Sequence, residues 1–136
     1  MKVIVAGSRH ITDYQLVSQV ITNTIQKYNI QVTEIVSGCA PGIDSLGEQW
    51  ALENGIKVEP MPAEWDDLTV PGAVIKTNKW GKEYNARAGY QRNERMAVYG
   101  DVLISIWDGK SRGSKDMIEC ATKHGLLVLI YNTTGG

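Results

Sequence analysis

Five short runs rich in apolar residues recur along the chain. Continuous apolar runs of this length are typical of parallel strands that are buried on both faces of a sheet. The first and fourth runs are the most apolar, so we expect the first strand at the centre of the sheet, with the fourth beside it. The predicted strands are residues 2–6, 32–37, 57–61, 101–107 and 126–131.

Apolar residues at helical spacing occupy the intervals between these strands, as in the segment LVSQVITNTI. Thr12 and Gln15 have the spacing of a capping box, and Pro41 suits the first turn of a helix. Ser114 is the predicted N-cap of the last helix, because serine at this position can accept a hydrogen bond from the first turn. The predicted helices are residues 12–28, 41–54, 86–99 and 114–124.

Strands that alternate with helices predict a parallel sheet with helices on both faces. We therefore predict a three-layer α/β sandwich with strand order 3-2-1-4-5, formed by one domain over residues 1–131 and followed by a tail at 132–136. Residues 62–85 interrupt the alternation and are too long for an ordinary connection, so we expect an irregular insertion with a short hairpin or a helical turn. In such sheets ligands bind beyond the carboxyl ends of the strands.

The composition narrows the classes of function. The chain has 136 residues, of which 43% are hydrophobic, and its net charge is -1. Such a charge argues against a protein that coats nucleic acid. The two cysteines and two histidines stand in unrelated contexts, so we expect neither a metal site nor a cofactor and a reduced, cytoplasmic setting. We expect no signal peptide and no membrane partner, because the apolar runs are short.

Four polar segments follow strands or open helices, and all four are therefore expected at one edge of the sheet. The first is Gly7-Ser8-Arg9, which follows the first strand. Glycine lets the backbone approach a ligand closely, serine offers a hydroxyl, and arginine can bind a phosphate or a carboxylate through two hydrogen bonds. The alternative is a tight turn with a surface arginine.

The second segment, SGCAPGID, follows the second strand. Glycines around a helix start leave backbone N–H groups free to face an anion, with help from the helix dipole. Asp44 either accepts a ribose hydroxyl or simply stabilises the positive end of the helix, and the whole segment can equally be a strand-to-helix turn. Its candidate ligand-binding residues are Ser37, Gly38, Cys39, Ala40, Gly42 and Asp44.

The third segment, RAGYQRNERM, lies on the third predicted helix. Arg92 and Met96 are one turn apart, and Asn93 lies beside Arg92. We expect Arg92 to reach into the cleft while Arg95 is solvated. The alternative is the charged outer face of an amphipathic helix, with Met96 in the core.

The fourth segment, WDGKSRGSKDM, leads from the fourth strand into the last helix. Backbone amides at a helix start, together with serine hydroxyls, can form a seat for a phosphate, and Lys110, Arg112 and Lys115 add positive charge. The alternative is a polar turn with an ordinary helix cap. The candidate residues are Asp108, Gly109, Ser111, Gly113 and Ser114.

Taken together, these motifs resemble the SLOG superfamily of Rossmann-like domains, and most closely its YspA/cpYpsA-related family. That family's pattern combines GSR, SGGAxGID, PAxW, AGxxRN and WDGxSxGT in this order, and the resemblance adds Trp65 of the PAEW segment to the candidate residues. Cys39 stands where the pattern has a second glycine, and Ser114 stands where it has threonine. The resemblance implies a Rossmann-like fold and a ligand related to nucleotides, and related domains commonly form homo-oligomers.

The motifs are also distantly similar to those of the Lonely Guy phosphoribohydrolases, which cleave the base from a nucleoside 5′-monophosphate. Their signature, PGGxGTxxE, ends in a catalytic glutamate, and alignment on Gly113-Ser114 places Met117 at that position. Methionine cannot transfer a proton or stabilise an oxocarbenium-like ribose. Glu119 lies about 200° further around a helix and should not replace it. The resemblance therefore implies binding rather than cleavage.

Three hypotheses follow from these residues. The first is a module that senses or sequesters a nucleotide or a ligand derived from ADP-ribose or NAD, a role that the resemblance connects with host–phage conflict. Trp65, Trp80 or Tyr84 would stack on a base, with core packing as the alternative for each. The second is an N-glycosidic hydrolase that uses Asp44, Asp108 or Glu64. The third, suggested by the similarity in fold to the DprA family, is binding of single-stranded DNA, against which the net charge argues.

Overall fold

A computed structural model describes residues 1–133 of the chain. The described part of the chain contains seven strands and four helices. The sixth and seventh elements along the chain form a short hairpin. The elements are β1 (Lys2–Gly7), α1 (Tyr14–Lys27), β2 (Glu34–Ser37), α2 (Ile43–Glu53), β3 (Lys57–Pro60), β4 (Ile75–Thr77), β5 (Glu83–Asn85), α3 (Ala88–Tyr99), β6 (Val102–Trp107), α4 (Arg112–Lys123) and β7 (Leu127–Asn132).

Five of the strands form one parallel sheet in the order β3-β2-β1-β6-β7. Because β6 and β7 are the fourth and fifth strands of this sheet along the chain, the predicted order 3-2-1-4-5 is confirmed, with β1 in the centre. The Rossmann-like α/β class is confirmed with it. The carboxyl ends of β1, β2, β3 and β6 therefore lie along one edge, where the predicted binding segments follow them.

Side chains of β1 alternate between two cores on opposite faces of the sheet, as the two-residue period of a strand requires. Val3 and Val5 pack with residues of α1 and α2, whereas Ile4 and Ala6 pack with residues of α3 and α4. This alternation gives the three layers of the sandwich. It also places α3 and α4 on the same face, where their N-terminal ends meet beyond the carboxyl end of β1.

The predicted starts of all four helices differ from the observed ones. The N-cap of α1 is Asp13 rather than Thr12, because the Asp13 carboxylate accepts the Leu16 amide at 3.2 Å. The second helix begins at Ile43 rather than at Pro41, because Gly42 has a φ of 79° that a helix cannot include.

The last helix begins at Arg112, two residues before the predicted start, and its N-cap is Ser111 rather than Ser114. Asp108 causes this shift, because its Oδ1 accepts the amides of Lys110 and Ser111, both at 2.8 Å, and so turns the chain into the helix early. Ser114 consequently lies in the first helical turn.

The predicted insertion contains a hairpin, in which β4 and β5 pair antiparallel. Asn85 fixes this hairpin to the domain, because its buried Oδ1 accepts the amides of Val74 and Arg87 while its Nδ2 donates to Gln91 Oε1 at 2.7 Å. The bond to Arg87 delays the start of α3 to Ala88, two residues after the predicted start.

At the other end of the chain, Asn132 completes β7, and the Thr133 amide donates to the Trp107 carbonyl oxygen. Of the tail predicted at 132–136, residues 134–136 lie outside the described residues. Among residues 1–133, none of the helices has the length and the apolar character needed to cross a membrane.

Candidate functional site

A cleft with a volume of about 320 Å3 opens beyond the carboxyl end of β1, between the first turns of α3 and α4. It lies at the edge of the sheet where ligands of such folds bind. Most of the predicted site residues line this main cavity: Gly7, Arg9, Ala40, Asp44, Trp65, Arg92, Asn93, Ser111, Gly113 and Ser114. The structure therefore brings all four predicted segments together at one place.

A second groove, of about 290 Å3, adjoins the main cavity on the side of β2 and β3. Gly38 and Cys39 line this groove only, whereas Arg9, Ala40, Trp65 and Arg92 line both spaces. The remaining predicted residues line neither space: Ser8, Ser37, Gly42, Asp108 and Gly109.

Ser8 and Asp108 hold two of the loops together instead of facing the cavity. The fully buried Ser8 hydroxyl accepts the Asp108 amide at 3.1 Å, which joins the loop after β1 to the loop after β6. Hydrogen bonds from the Ser111 and Lys110 amides hold the pKa of the Asp108 carboxyl below its ordinary value. Asp108 is thus an ionised turn residue.

Ser37 and the two remaining glycines also shape the loops. The buried Ser37 hydroxyl donates to Glu48 Oε2 at 2.8 Å and accepts the Cys39 amide at 3.1 Å. Gly42 and Gly109 have φ values of 79° and 81°, in the left-handed region that favours glycine. These residues position the cleft without lining it.

Arg92 is the central charged group of the cleft, and its side chain is only 7% exposed. Its Nη1 donates to the Gly38 carbonyl oxygen, and its Nε donates to Asn93 Oδ1 at 3.0 Å. No described residue accepts a hydrogen bond from its Nη2. The predicted contrast on this helix holds, because Arg95 is exposed and donates to the Pro62 carbonyl oxygen.

Asn93 connects the helix of Arg92 to the start of α4. Its Nδ2 donates to the Gly113 carbonyl oxygen at 3.3 Å and to Asp116 Oδ2 at 3.0 Å. Because its Oδ1 is held by Arg92, this one amide side chain fixes the distance between the two helix ends that form the cavity walls.

Gly38 permits the close approach of two charged groups. A Cβ at this position would stand 2.6 Å from Arg92 Nη1 and 2.7 Å from Asp44 Oδ2. The guanidinium and the carboxylate therefore both pack against the bare Cα of Gly38. Any side chain here would force them apart.

Asp44 is 5% exposed, and burial raises the pKa of its carboxyl to about 6, even though the nearby Arg92 charge and the Ala40 amide act in the opposite direction. Its Oδ2 accepts that amide at 3.3 Å. Burial likewise lowers the pKa of Arg92, while the attraction of Asp44 opposes the change. A carboxyl group that titrates near neutrality can accept a hydrogen bond from a sugar hydroxyl or donate one.

The start of α4 has three unpaired backbone amides, and two of them belong to residues that line the cleft, Gly113 and Ser114. The amides of Arg112, Gly113 and Ser114 have no acceptor among the described residues, as is usual for a first helical turn. The Lys110 and Ser111 amides, which lie just before them, are not available because Asp108 accepts both. An anion at this edge would therefore meet free amides in the first turn of the helix itself and not in the loop before it.

Arg9 supplies a second cation at this edge. Its side chain is exposed and forms no hydrogen bond or ion pair with the described residues. The loop that carries it is fixed, because its backbone lies so close to Gly42 that a Cβ there would stand 2.4 Å from the Arg9 carbonyl oxygen.

Trp65 is one of two aromatic residues that line the cleft, with 40% of its surface exposed. Its ring packs on Gly89, where an added Cβ would stand 3.3 Å from Cη2. Core packing, the alternative interpretation of the three aromatics, is therefore wrong for Trp65. It is also wrong for Trp80, which is 78% exposed on the hairpin, and neither Trp80 nor Tyr84 lines the cavity.

The cavity also contains residues that were not among the predicted ligand-binding residues. Two of them, Gly89 and Tyr90, belong to the AGYQRN motif that carries Arg92, so the motif itself was the available signal. The others are apolar and show no sign of binding in the sequence. The complete set is Ala6, Ala86, Gly89, Tyr90, Met96 and Met117.

Among the acids proposed for hydrolysis, Asp44 lines the cavity whereas Asp108 and Glu64 do not. Met117, at the position of the glutamate in the related hydrolases, lies in the cavity wall, and Glu119 is exposed as its place on the helix predicts. No group of three or more acidic, cysteine or histidine side chains among the described residues could hold a metal ion.

Replacement of Gly38 tests the packing of the two charges. We expect Gly38→Ala to lower the free energy of unfolding by about 1–3 kcal/mol, because the new methyl group overlaps both Arg92 and Asp44. Gly113→Ala is the matched control, since nothing lies within 4 Å of its added Cβ and alanine favours the helix by about 0.5–1 kcal/mol. Chemical denaturation of both variants measures the difference, and equal effects would contradict the close packing at Gly38.

The pKa of Asp44 predicts a pH-dependent stability. With a value of about 6 in the folded chain and 3.8 in the unfolded chain, the folded state binds the proton more tightly. The contribution of Asp44 to stability is therefore largest below pH 4 and falls by on the order of 2–3 kcal/mol as the pH rises through 6.

The variant Asp44→Asn removes this titration. Relative to the unsubstituted protein, we expect its stability advantage to grow between pH 4 and pH 7 in denaturation experiments. Glu119→Gln, at an exposed carboxylate outside the cleft, serves as the control and should show no such growth. A difference for Asp44→Asn that stays constant with pH would show that this carboxyl is not buried in the folded chain.

Comparison with known proteins agrees with this geometry. The chain is similar in structure to DNA processing protein A (DprA) from Streptococcus pneumoniae, with a TM-score of 0.67 and 26% sequence identity. The match covers 95% of this chain and 49% of that protein, so this chain spans about half its length. No curated protein matches the sequence. Residues 1–67, which include the first two binding segments and Trp65, match the sequence profile of the YspA, cpYpsA-related SLOG family. This match covers just under half of the chain and shows that its first 67 residues are similar to this family.

Proposed function

We propose that the cleft binds a nucleotide-like ligand through its phosphate and holds it without cleaving it. The observation that carries the proposal is that Gly113 and Ser114, whose amides are free at the start of α4, line the same cavity as Arg9 and Arg92. Free amides at a helix start bind anions, and the helix dipole adds to the attraction. Arginine adds charge-assisted hydrogen bonds to phosphate oxygens.

The other walls of the cavity suit the remaining parts of a nucleotide. We expect Asp44, which lines the cavity, to bind ribose hydroxyls and the exposed ring of Trp65 to stack on a base. The similarity of residues 1–67 to the SLOG family supports a role connected with nucleotides. We propose more specifically that the ligand derives from ADP-ribose or NAD and that the domain senses or sequesters it.

The Arg9→Ala variant tests this binding. Because the side chain has no partner among the described residues, we expect stability without ligand to change by less than about 0.5 kcal/mol. Affinity for AMP or ADP-ribose should fall about tenfold, the effect of losing one charge-assisted hydrogen bond at an exposed position. Calorimetric titration and the ligand-induced rise in melting temperature both measure the change.

Arg95→Ala is the matched control, because Arg95 is exposed on α3 and lies outside the cavity. It should bind these nucleotides like the unsubstituted protein. Arg92→Ala should weaken binding and also lower stability, since Arg92 binds the Gly38 carbonyl oxygen. If all three variants bind nucleotide equally well, the ligand lies elsewhere. Mass spectrometry of material released from the purified protein would identify the ligand itself.

Hydrolysis of an N-glycosidic bond is the alternative function, and Asp44 is the observation in its favour, because a pKa of about 6 suits a general acid. Against it, the cavity wall carries Met117 where the related hydrolases have glutamate. We expect no free base and no ribose phosphate after incubation with AMP, NAD or ADP-ribose, as measured by chromatography. Turnover that Asp44→Asn abolishes would overturn the proposal of binding alone.

Binding of single-stranded DNA is a further candidate because of the similarity to DprA, a DNA processing protein. The net charge of -1 does not favour it, since affinity for nucleic acid depends mainly on contacts between cations and phosphates. Salt-sensitive retardation of an oligonucleotide in a gel would support this candidate over the first.

A further inference from the structure

The groove beside the main cavity has a different chemical character from the cavity itself. The segments after β2 and β3 supply its apolar walls, Cys39, Pro41, Pro62 and Ala63. None of its lining residues carries a carboxylate, whereas the main cavity has Asp44 together with serine hydroxyls and the Asn93 amide. The groove therefore has no group that would repel an anion at Arg9 and Arg92, and its proline and alanine side chains can pack against a flat ring.

Two arginines and one tryptophan lie at the boundary between the two spaces. Arg9, Trp65 and Arg92 each line both spaces. Arg92 Nη1 is held by the Gly38 carbonyl oxygen in the groove, while its Nη2 and the whole Arg9 guanidinium have no acceptor among the described residues. An anion at the boundary would meet unpaired donors from two guanidinium groups.

Neither space is large on its own. Volumes of about 320 Å3 and 290 Å3 are at the lower end of the range of roughly 300–1,000 Å3 for small-molecule sites. A mononucleotide that occupies the main cavity would leave the groove empty. A longer ligand that crosses the boundary would contact Trp65 and both arginines from the main cavity and from the groove.

Building on the proposed function, we propose that the natural ligand consists of two nucleoside-like units joined through phosphate, and that the groove is the site of the second unit. The first unit lies in the main cavity, the joining phosphate lies at Arg9 and Arg92, and the second unit packs against Trp65 and Pro62. Either a pyrophosphate or a phosphodiester provides the negative charge that the boundary requires.

Cys39 gives a direct measure of whether the groove is filled. Its thiol lines the groove and is exposed, with Sγ 3.7 Å from the Ser37 carbonyl oxygen. Burial raises the pKa of both thiols, that of Cys120 to about 12, so the half-buried Cys120, which lies outside the cleft, reacts more slowly with alkylating reagents than the exposed Cys39. Alkylation of the folded protein, read by peptide mass spectrometry, therefore reports mainly on Cys39.

The test compares four probes on the full chain: AMP, ADP, NAD and a diadenosine compound with a single phosphodiester link. ADP controls for charge, because it has two phosphates but only one nucleoside. We expect NAD or the phosphodiester compound to bind about tenfold more tightly than AMP and ADP, the effect of stacking one further base. The tighter of the two identifies the linkage. The same probe should slow alkylation of Cys39 at least about tenfold, in proportion to the occupancy of the groove, whereas AMP and ADP should not.

The variant Ala63→Trp fills the groove with a side chain and so provides a second measurement. In this variant we expect the ratio of affinities for the two-unit probe and for AMP to fall to about one. The affinity of the same variant for AMP is the reference. A general loss of structure would lower the affinities for AMP and for the two-unit probe alike and would leave their ratio unchanged.

Each outcome decides the proposal. Tighter binding of a two-unit probe, protection of Cys39 and loss of the affinity ratio in Ala63→Trp support it. If ADP binds most tightly and Cys39 stays reactive, the second subsite is wrong while nucleotide binding in the main cavity stands. If none of the four probes binds, the proposed function fails and this inference fails with it.

Discussion

The burial of one positive charge constrains the rest of the cleft. The Arg92 guanidinium lies where three elements meet, and removing a charge from water costs several kcal/mol unless other groups compensate for it. The Gly38 carbonyl oxygen and Asn93 Oδ1 provide that compensation by hydrogen bonds, and Asp44 provides it by its charge. These partners belong to the loop after β2, to helix α3 and to the start of α2, respectively. The buried charge of Arg92 therefore fixes the positions of all three elements relative to one another.

The Arg92 guanidinium still has an unpaired donor among the described residues, its Nη2, which a ligand could bind. Asp44 is itself buried enough that its pKa rises, so the pair is less stable at neutral pH than a fully paired ion pair would be. Buried ionisable groups that lower the stability of the fold are common in clefts that bind a ligand or carry out catalysis. An anion that contacts Arg92 Nη2 would complete the set of hydrogen bonds around the guanidinium.

The sheet could be predicted from the sequence because its central strands are buried on both faces, so that KVIVA and VLISIW are almost wholly apolar. The starts of the helices could not, because each depended on a competition between neighbouring side chains. Asp13 displaced Thr12 as a cap, and Asp108 captured two amides that moved the cap of α4 from Ser114 to Ser111. Such competitions are settled by geometry over a few ångströms, which a pattern of residue types does not contain.

The candidate site was predictable to a similar extent. The motifs locate the loops, and the topology brings them together, so Arg9, Asp44 and Arg92 could be chosen from the sequence. The sequence did not predict which residues of each motif line the cavity and which hold the loops together. Ser8 and Asp108 are residue types that often bind ligands, but the bond from the Asp108 amide to the Ser8 hydroxyl joins two loops instead. Met96 and Met117 are residue types typical of a core, and both line the cavity.

The two methionines bear directly on what the cleft can do. Cleavage of a glycosidic bond requires a carboxyl group near the anomeric carbon, and in the related hydrolases that group projects from the position of Met117. Here that part of the wall, with Met96 and Ala6 beside it, is apolar. Asp44 is thus left as the one carboxyl group among the lining residues, and its Oδ2 is already engaged by the Ala40 amide next to a guanidinium. A carboxylate held in this way is better suited to orienting hydroxyl groups than to transferring protons, so the distribution of polar and apolar groups around the cleft favours retention of a nucleotide over its hydrolysis.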